Sequence, residues 1–268
     1  MTTSPSAAPW ADQPYKLLPH PRLTDTSASY AFHIAYEMSK VHNVLTRGLN
    51  AIVLQAPHIP ESTKEGYSAQ DVKDLLFYVE QWAATVNHHH NTEETIMFPA
   101  FEELAGQPGL MSGPLHQHEA FHNGLVELLN YAKKFGERPD EYQWEAMKSI
   151  IEGFAPPLMQ HLGDEIGILK DLEKTCDSDG LKSIWANVEA TAKASGNLTM
   201  FYNMFPLVLG CIDKTSDGGN DGLGFPAPFP YAIKFWFGRR YAGAWRFNPC
   251  TYWGKPQPLA MLPENRRK

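Results

Sequence analysis

Four helices predicted from the sequence carry titratable side chains on their apolar stripes. Between about Thr26 and Thr175, apolar residues recur in alternating steps of three and four, which is the spacing of one helix face. Loops rich in Pro and Gly separate the four segments. Because such faces pack against one another, the pattern predicts an all-α, up-and-down four-helix bundle. The inward stripes also include His42 in the first helix, His89 and Glu93 in the second, His118 and His122 in the third, and His161 and Glu165 in the fourth.

These histidines and glutamates need partners if they are buried together. An unpaired buried carboxylate or imidazolium is costly, or its pKa shifts until the group is neutral. Two Fe(II) ions, bridged by oxide or hydroxide, would satisfy the whole set and leave little residual charge. We therefore predict a diiron centre in which Glu93 and Glu165 bridge the ions. Manganese, zinc and copper accept the same ligand types, and a buried polar network without metal is the alternative.

The stripes also separate the predicted ligands from their neighbours. His90 and Glu94 repeat the four-residue spacing, but their stripe is more polar because it includes Glu80 and Asn87. The sequence therefore leaves His90 out of the ligand set. Three acidic residues are expected to face solvent or to support histidine nitrogens: Glu94, Asp164 and Glu37. Histidines that fall off the stripes are interpreted as surface residues, namely His33, His88 and His116.

Composition and charge limit the partners. The chain has 268 residues, 43% hydrophobic and 20% charged, with a formal net charge of -7, which is typical of a globular protein. The acidic balance and the absence of long Lys or Arg runs argue against a nucleic-acid partner. The N-terminus has no signal-peptide pattern and no stretch has the roughly 20 apolar residues of a membrane span, so we expect an intracellular, cytoplasmic protein. Its three cysteines, Cys176, Cys211 and Cys250, are expected to be reduced thiols.

The chain divides into three predicted regions. Residues 1–25 form an N-terminal arm rich in Pro, Ser, Ala and Thr, residues 26–176 form the bundle, and residues 177–268 pack on it. This last region begins with an additional helix near Leu181 to Ala194 and continues as an irregular extension rich in aromatic residues, Pro and Gly. Its aromatic side chains either cover apolar surface or form a substrate pocket with Arg239 or Arg240.

Motifs in all four helical segments resemble one known family. The strings are KVHNVLTRGLNAIVLQAP, HHHNTEETIMFPAFEEL, QHEAFHNGL and HLGDEI, and together they resemble a hemerythrin-like (HHE cation-binding) domain from about Ala31 to Glu173. The resemblance implies a four-helix bundle of the hemerythrin type with an oxygen-responsive diiron centre. Residue by residue, it implies ligand roles for His42, His89, Glu93, His118 and His161.

Two positions depart from the invertebrate oxygen carriers of that family. Their other third-helix histidine would fall at Pro114, so His122 is expected to replace it from the opposite side. Their fourth-helix carboxylate would fall at Ile166, whereas the acid here is Glu165, as in the HxxxE variant of many HHE domains.

Three functions are compatible with such a centre. Nitrogen-rich ligation favours binding or sensing of oxygen or a related diatomic or peroxide ligand, because diiron oxygenases usually have carboxylate-rich sites with paired ExxH motifs. The single ExxH here, Glu119 to His122, has its glutamate off the stripe. A diiron oxygenase, oxidase or peroxidase acting on a small organic substrate is the second function, for which the aromatic extension is the best support. Iron storage or iron sensing through metal-dependent folding is the third.

Overall fold

The computed structural model is mainly helical over the residues it describes, which are 11–21, 29–194, 196–216 and 222–265. Within these ranges there are nine α-helices and no β-strand. In chain order the helices are α1 (Tyr30–Gln55), α2 (Ala69–Thr92), α3 (Phe98–Ala105), α4 (Ser112–Glu137), α5 (Trp144–Asp171), α6 (Ser178–Ala194), α7 (Leu198–Asn203), α8 (Phe205–Cys211) and α9 (Phe229–Phe235). Short 3₁₀ turns separate several of them.

Serine side chains begin the first two long helices. The hydroxyl of Ser29 accepts from the backbone N–H of Ala31 at 3.3 Å, and that of Ser68 accepts from Asp71 at 3.2 Å. These bonds satisfy backbone donors that have no partner inside the first helical turn. Gly106 ends α3 in the left-handed conformation with a φ of 62°, which glycine adopts without steric cost.

The four long helices pack as a closed ring. Helix α1 contacts α2 and α5, and α4 contacts the same two helices from the other side. Their interior contains two apolar clusters. The first apolar cluster includes Leu45, Leu49, Val79, Trp82, Leu125, Phe154 and Leu158. The second apolar cluster includes Ile34, Met38, Met97, Phe101, Met111, Leu169 and Leu172.

A layer of histidines and glutamates lies between the two clusters. Along α1 and α4 the chain runs from the second apolar cluster, through this layer, to the first. Along α2 and α5 it runs in the opposite sense. Apolar side chains therefore close the layer at both ends and keep bulk water away from it.

Helices α2 and α3 are joined by a π-helical turn, Glu93–Met97. Pro99 follows in the first turn of α3, where it has no N–H to donate to the carbonyl of Thr95. The wider turn shifts the side chains that follow, so that Met97 and Phe98 are buried. Such turns are frequently found at functional sites.

The C-terminal region packs on α1 and α2. Helix α6 contacts α1 and α3, and α8 contacts α1. The rings of Trp245 and Phe247 are buried and meet Tyr78 at centroid distances of 6.4 and 5.9 Å. Phe235 and Trp236 are instead 64% and 71% exposed. Only part of the aromatic extension therefore covers the helices.

The described part of the N-terminal arm, residues 11–21, lies along α1. Asn50 donates to the carbonyls of Ala11 and Tyr15, each at 2.8 Å. The side-chain oxygen of Asn43 accepts from the N–H of Leu18 at 2.7 Å, and its amide nitrogen donates to the carbonyl of Leu18 at 3.0 Å. These paired amide contacts attach the arm to the helix. Residues 1–10 and 22–25 of the predicted arm lie outside the described residues.

Two expectations from composition can be compared with the fold. The described residues include no helix that is long and apolar enough to cross a membrane. Cys176, Cys211 and Cys250 are all buried and none forms a disulfide. The thiol of Cys211 lies 3.4 Å from the hydroxyl of Tyr78, within the first apolar cluster.

We expect Gly48→Ala to destabilise the protein. A Cβ at position 48 would lie 2.6 Å from Cδ1 of Trp82, whose ring is fully buried and whose Nε1 donates to Leu45. The expected loss in the free energy of unfolding is about 1–3 kcal/mol, as for overpacking in other cores. Gly167→Ala is the control, because nothing lies near its Cβ position and alanine favours a helix by up to about 1 kcal/mol. Urea unfolding measures both, and equal stabilities would contradict the tight contact.

Candidate metal centre

Histidines and glutamates from four helices meet in the layer between the apolar clusters. Two groups have ligand atoms within 4.8 Å of one another: His42, His89 and Glu93, and His90, Glu93, His118 and His161. Glu165 joins both groups through His42 and His161. We call these seven residues the polar layer. Six are buried, and His89 is 13% exposed.

The two carboxylates lie between the two groups. Glu93 has one oxygen 3.0 Å from Nε2 of His89 and the other 3.6 Å from Nε2 of His118. Glu165 has its Oε2 3.3 Å from Nε2 of His42 and 3.7 Å from Nε2 of His161. Each carboxylate thus lies near one histidine of either group.

Hydrogen bonds outside the polar layer fix the orientation of two rings. Nδ1–H of His42 donates to the carbonyl of Leu162 at 2.8 Å, since a carbonyl can only accept. Nδ1 of His118 donates to the carboxylate of Glu94 at 2.6 Å. In both rings Nε2 therefore carries the lone pair and points into the layer.

The third fixed ring is that of His161. Its Nδ1 lies 3.1 Å from Oε1 of Gln117, and the amide nitrogen of Gln117 donates to Asp164 at 3.0 Å. Asp164 therefore sets the amide so that its oxygen accepts from His161. Glu94 and Asp164 thus occupy the supporting positions expected of them, whereas Glu37 pairs with Lys40 at 2.8 Å.

The inward nitrogens face one another closely. Nε2 of His118 lies 3.0 Å from Nε2 of His161, and Nε2 of His42 lies 3.1 Å from that of His89. In the first pair both lone pairs point at each other, because both Nδ1 atoms are donors. Two lone pairs at this distance repel unless a cation lies near both of them. The geometry of this first pair therefore fits a metal bound by both rings.

Further atoms of the polar layer also have no hydrogen-bond partner among the described residues. They are Nε2 of His90 and both carboxylate oxygens of Glu93 and Glu165, all buried. The contacts of these oxygens with ring nitrogens are close but not aligned as hydrogen bonds. Buried atoms of this kind are costly unless an ion coordinates them. Imidazole and carboxylate donors suit iron, manganese, zinc or copper.

Burial favours the neutral, metal-binding state of four of these histidines, namely His89, His90, His118 and His161. It lowers the pKa of His89 to about 4 and that of His161 to about 3, although the negative charge of Glu165 opposes both shifts. The pKa of His90 is also lowered well below its usual value, by burial and then by the neighbouring imidazoles. Burial, followed by the charge of Glu165, raises the pKa of Glu93 well above its ordinary range.

His122 lies outside the polar layer, and this corrects the position expected from the sequence. Its side chain is exposed, because the buried stripe of α4 passes from His118 to Phe121 and Leu125. His118 lies at one edge of that stripe, and the residue four positions later is rotated by about 40° further from its centre, on the solvent side. Helix α4 therefore supplies one histidine to the layer.

His90 takes the place expected for His122. Helix α2 packs against both α1 and α4, so its buried arc is wider than one stripe. A second run of buried residues at three- and four-residue steps leads to His90: Leu76, Val79, Ala83 and Val86. This apolar run was the available signal in the sequence. The polar residues on the neighbouring stripe concealed it.

Comparisons with known proteins agree with a cation-binding role. The family model described as "Hemerythrin HHE cation binding domain" matches residues 33–172. A curated relative, "Dimeric xanthone biosynthesis cluster protein R11" from Cryptosporiopsis sp. (strain 8999), is 36% identical over 267 residues, which cover 98% of this chain and 97% of the relative. No solved structure matches the chain significantly.

Metal-free protein should lose stability as the pH falls. In the unfolded chain the histidines take up protons near their ordinary pKa of 6.5, whereas folded His89 and His161 resist protonation until about pH 4 and about pH 3. The contribution of these two histidines to the free energy of unfolding is therefore fully present above about pH 6.5 and decreases below it. Glu93 alone has the opposite effect, because its raised pKa makes the folded state bind a proton more readily than the unfolded chain does. Thermal unfolding of chelator-treated protein at intervals from about pH 7 to pH 5 measures the slope.

His161→Gln provides the comparison for this slope. Glutamine removes one neutral histidine from the interior and has no charge to gain. The melting temperature of this variant should depend less on pH than that of the parent protein, both without metal. Identical slopes in the two proteins would show that the buried histidines are not the cause.

Proposed function

The chain belongs to the hemerythrin HHE cation-binding domain family, and we propose that it binds two iron ions in the polar layer and oxidises a small organic molecule with oxygen. The observation that carries the metal assignment is the pair of facing Nε2 atoms of His118 and His161, which lie 3.0 Å apart. A cavity that reaches His89 and Glu93 favours chemistry on a substrate. When bound, the iron pair supplies electrons and an open coordination position for oxygen.

The proposed ligand sets follow the two groups of the layer. One ion takes His42, His89 and the two carboxylates, and the other takes His90, His118, His161 and the same carboxylates. Glu93 and Glu165 would be shared by both ions, together with oxide or hydroxide. The four positive charges of two Fe(II) ions would then be largely offset by the two carboxylates and the bridging oxide or hydroxide, with five neutral imidazoles completing the ligands.

The residues around the ligands prepare the layer for such ions. Leu162, Glu94 and Gln117 hold three rings with Nε2 directed inward, so the ligands need little rearrangement to bind. The apolar clusters on either side exclude water, which strengthens the attraction between the ions and the carboxylates.

We also propose a specific arrangement of the helices. The four long helices would form an up-and-down bundle of the hemerythrin type, with residues 177–268 packed on it. The alternating direction in which α1, α2, α4 and α5 pass between the apolar clusters supports this arrangement.

Reversible binding or sensing of oxygen is the second candidate function. The nitrogen-rich donor set of five imidazoles favours it, because carboxylate-rich sites are the usual choice for high-valent iron. The relative from Cryptosporiopsis is named for a biosynthesis cluster, and this supports the oxidoreductase over a binder.

Replacing histidines should distinguish the two possible fifth ligands. Wild-type protein loaded anaerobically with Fe(II) should hold two irons per chain. His90→Ala should lose about one of them, because Nε2 of His90 faces the second group, whereas His122→Ala should keep both. Iron is counted by elemental analysis after gel filtration, with circular dichroism as the control for folding. Loss of iron in His122→Ala alone would refute the ligand set.

Oxygen exposure of the diferrous protein tests the function. We expect oxygen to change the absorption spectrum in a way that removal of oxygen does not reverse. Added reductant should restore the diferrous state for a further cycle. Removal of oxygen by itself would restore the original spectrum in a reversible carrier. Recovery by degassing alone would therefore support the second candidate, and an unreactive iron pair would contradict both.

A further inference from the structure

An apolar cavity of about 340 Å³ lies beside the polar layer. Its walls come from α1, α2, α6 and α8, with Leu223 and Phe225 from the segment that follows. His89 and Glu93 form part of its lining, so the cavity reaches the candidate iron ligands. The C-terminal region supplies the side of the cavity opposite the layer.

The volume of this cavity suits an organic molecule. Sites for small molecules typically have volumes of about 300–1,000 Å³, and 340 Å³ lies within that range. Oxygen or another diatomic ligand would leave most of the space unused. The room that the fold leaves beside the layer therefore fits a second, larger ligand.

The lining is rich in aromatic rings and thioethers. Trp185, Phe205 and Phe225 contribute the rings, and the methionines are Met38, Met97 and Met204. Aromatic rings prefer other aromatic rings in stacked or edge-to-face contacts, and methionine sulfur makes favourable contacts with ring edges. This combination favours a ligand with aromatic rings over an aliphatic chain.

Polar groups of the cavity are concentrated on α2. Thr85, His88 and Thr92 join the two ligands of that helix in the lining. The hydroxyl of Thr85 donates to Gln81 at 2.7 Å, which leaves its lone pairs able to accept from a ligand. Across the cavity, Glu189 accepts from Nε1 of Trp185 at 3.2 Å and holds that ring in place.

We propose that this cavity binds a small aromatic molecule bearing a hydroxyl group and presents it to His89 and Glu93. The aromatic rings of the ligand would lie among Trp185, Phe205 and Phe225, with the hydroxyl toward α2. The role of the ligand as a substrate rests on the proposed diiron function, whereas its binding does not.

The two arginines first considered for a substrate pocket lie elsewhere. Arg239 lines a separate cavity of about 510 Å³ in the C-terminal region, which includes none of the polar layer. The guanidinium of Arg240 lies over the rings of Tyr202 and Tyr241, at 5.2 and 5.3 Å. Neither lines the 340 Å³ cavity, so a neutral aromatic ligand fits better than an anionic one.

Binding of 2-naphthol to iron-loaded protein under anaerobic conditions tests the proposal. Isothermal titration calorimetry should show one saturable site. Val188→Trp fills the cavity from α6 at a half-buried position and should weaken binding at least tenfold. Val126→Trp is the matched control, because this half-buried valine of α4 lies outside the cavity lining, and it should bind like the parent.

Trp185→Leu provides a second variant that keeps apolar volume but removes a ring. We expect it to bind 2-naphthol several-fold more weakly, and to bind the saturated analogue decahydro-2-naphthol nearly as well as the parent does. No saturable binding by the parent, or equal weakening by Val188→Trp and Val126→Trp, would overturn the proposal.

Proton relaxation of bound 2-naphthol tests its position. Iron-loaded protein should shorten the relaxation times of the ligand protons far more than zinc-loaded protein does, because the cavity reaches the ligands of the ion. Equal relaxation with both metals would show that the ligand binds away from the layer. Protein that binds naphthol but holds no iron would refute the proposed function and leave the cavity assignment intact. Protein that holds two irons but does not bind 2-naphthol would overturn the cavity assignment and leave the proposed iron binding intact.

Discussion

The lone pairs that face one another in the polar layer are the constraint on which the rest of the structure depends. Hydrogen bonds to Leu162, Glu94 and Gln117 occupy the outer nitrogens of three rings, so the inner nitrogens have no proton to share. Apolar clusters above and below prevent water from separating them. A cation is the partner that relieves this repulsion and also satisfies the buried carboxylates. The polar layer thus lowers the stability of the metal-free fold, and binding of a cation would raise it.

Helix geometry explains how one short segment contributes so much to the layer. His89, His90 and Glu93 lie within two turns of α2, and the π-helical turn begins at Glu93. The chain continues from this turn with Met97 and Phe98 inside the second apolar cluster, and Pro99 follows in the first turn of α3. The π-helical turn therefore connects the residues of the polar layer to those of the second apolar cluster.

The C-terminal region gives the layer a neighbour that a bare four-helix ring would not have. Helices α6 and α8 contact α1 and also leave a cavity between themselves and the helices α1 and α2. Its aromatic rings come from α6, α8 and the segment after α8, its methionines come from several elements, and most of its polar side chains lie on α2. An iron pair beside such a space is placed for oxidation of an organic molecule, whereas a carrier needs access only for oxygen. For this reason the proposed function joins the layer and the cavity.

Spacing alone determined most of the layer. Residues four apart on a helix are neighbours on its surface, so His89 with Glu93 and His161 with Glu165 were predictable from the sequence, as was the apolar stripe that includes His42. Tertiary structure decided the fifth histidine. Whether His90 or His122 points inward depends on how wide an arc of α2 and α4 the neighbouring helices cover, and a periodic pattern does not contain that angle. The cavity was also beyond the sequence, because its walls come from segments far apart in the chain whose packing is set by the whole molecule.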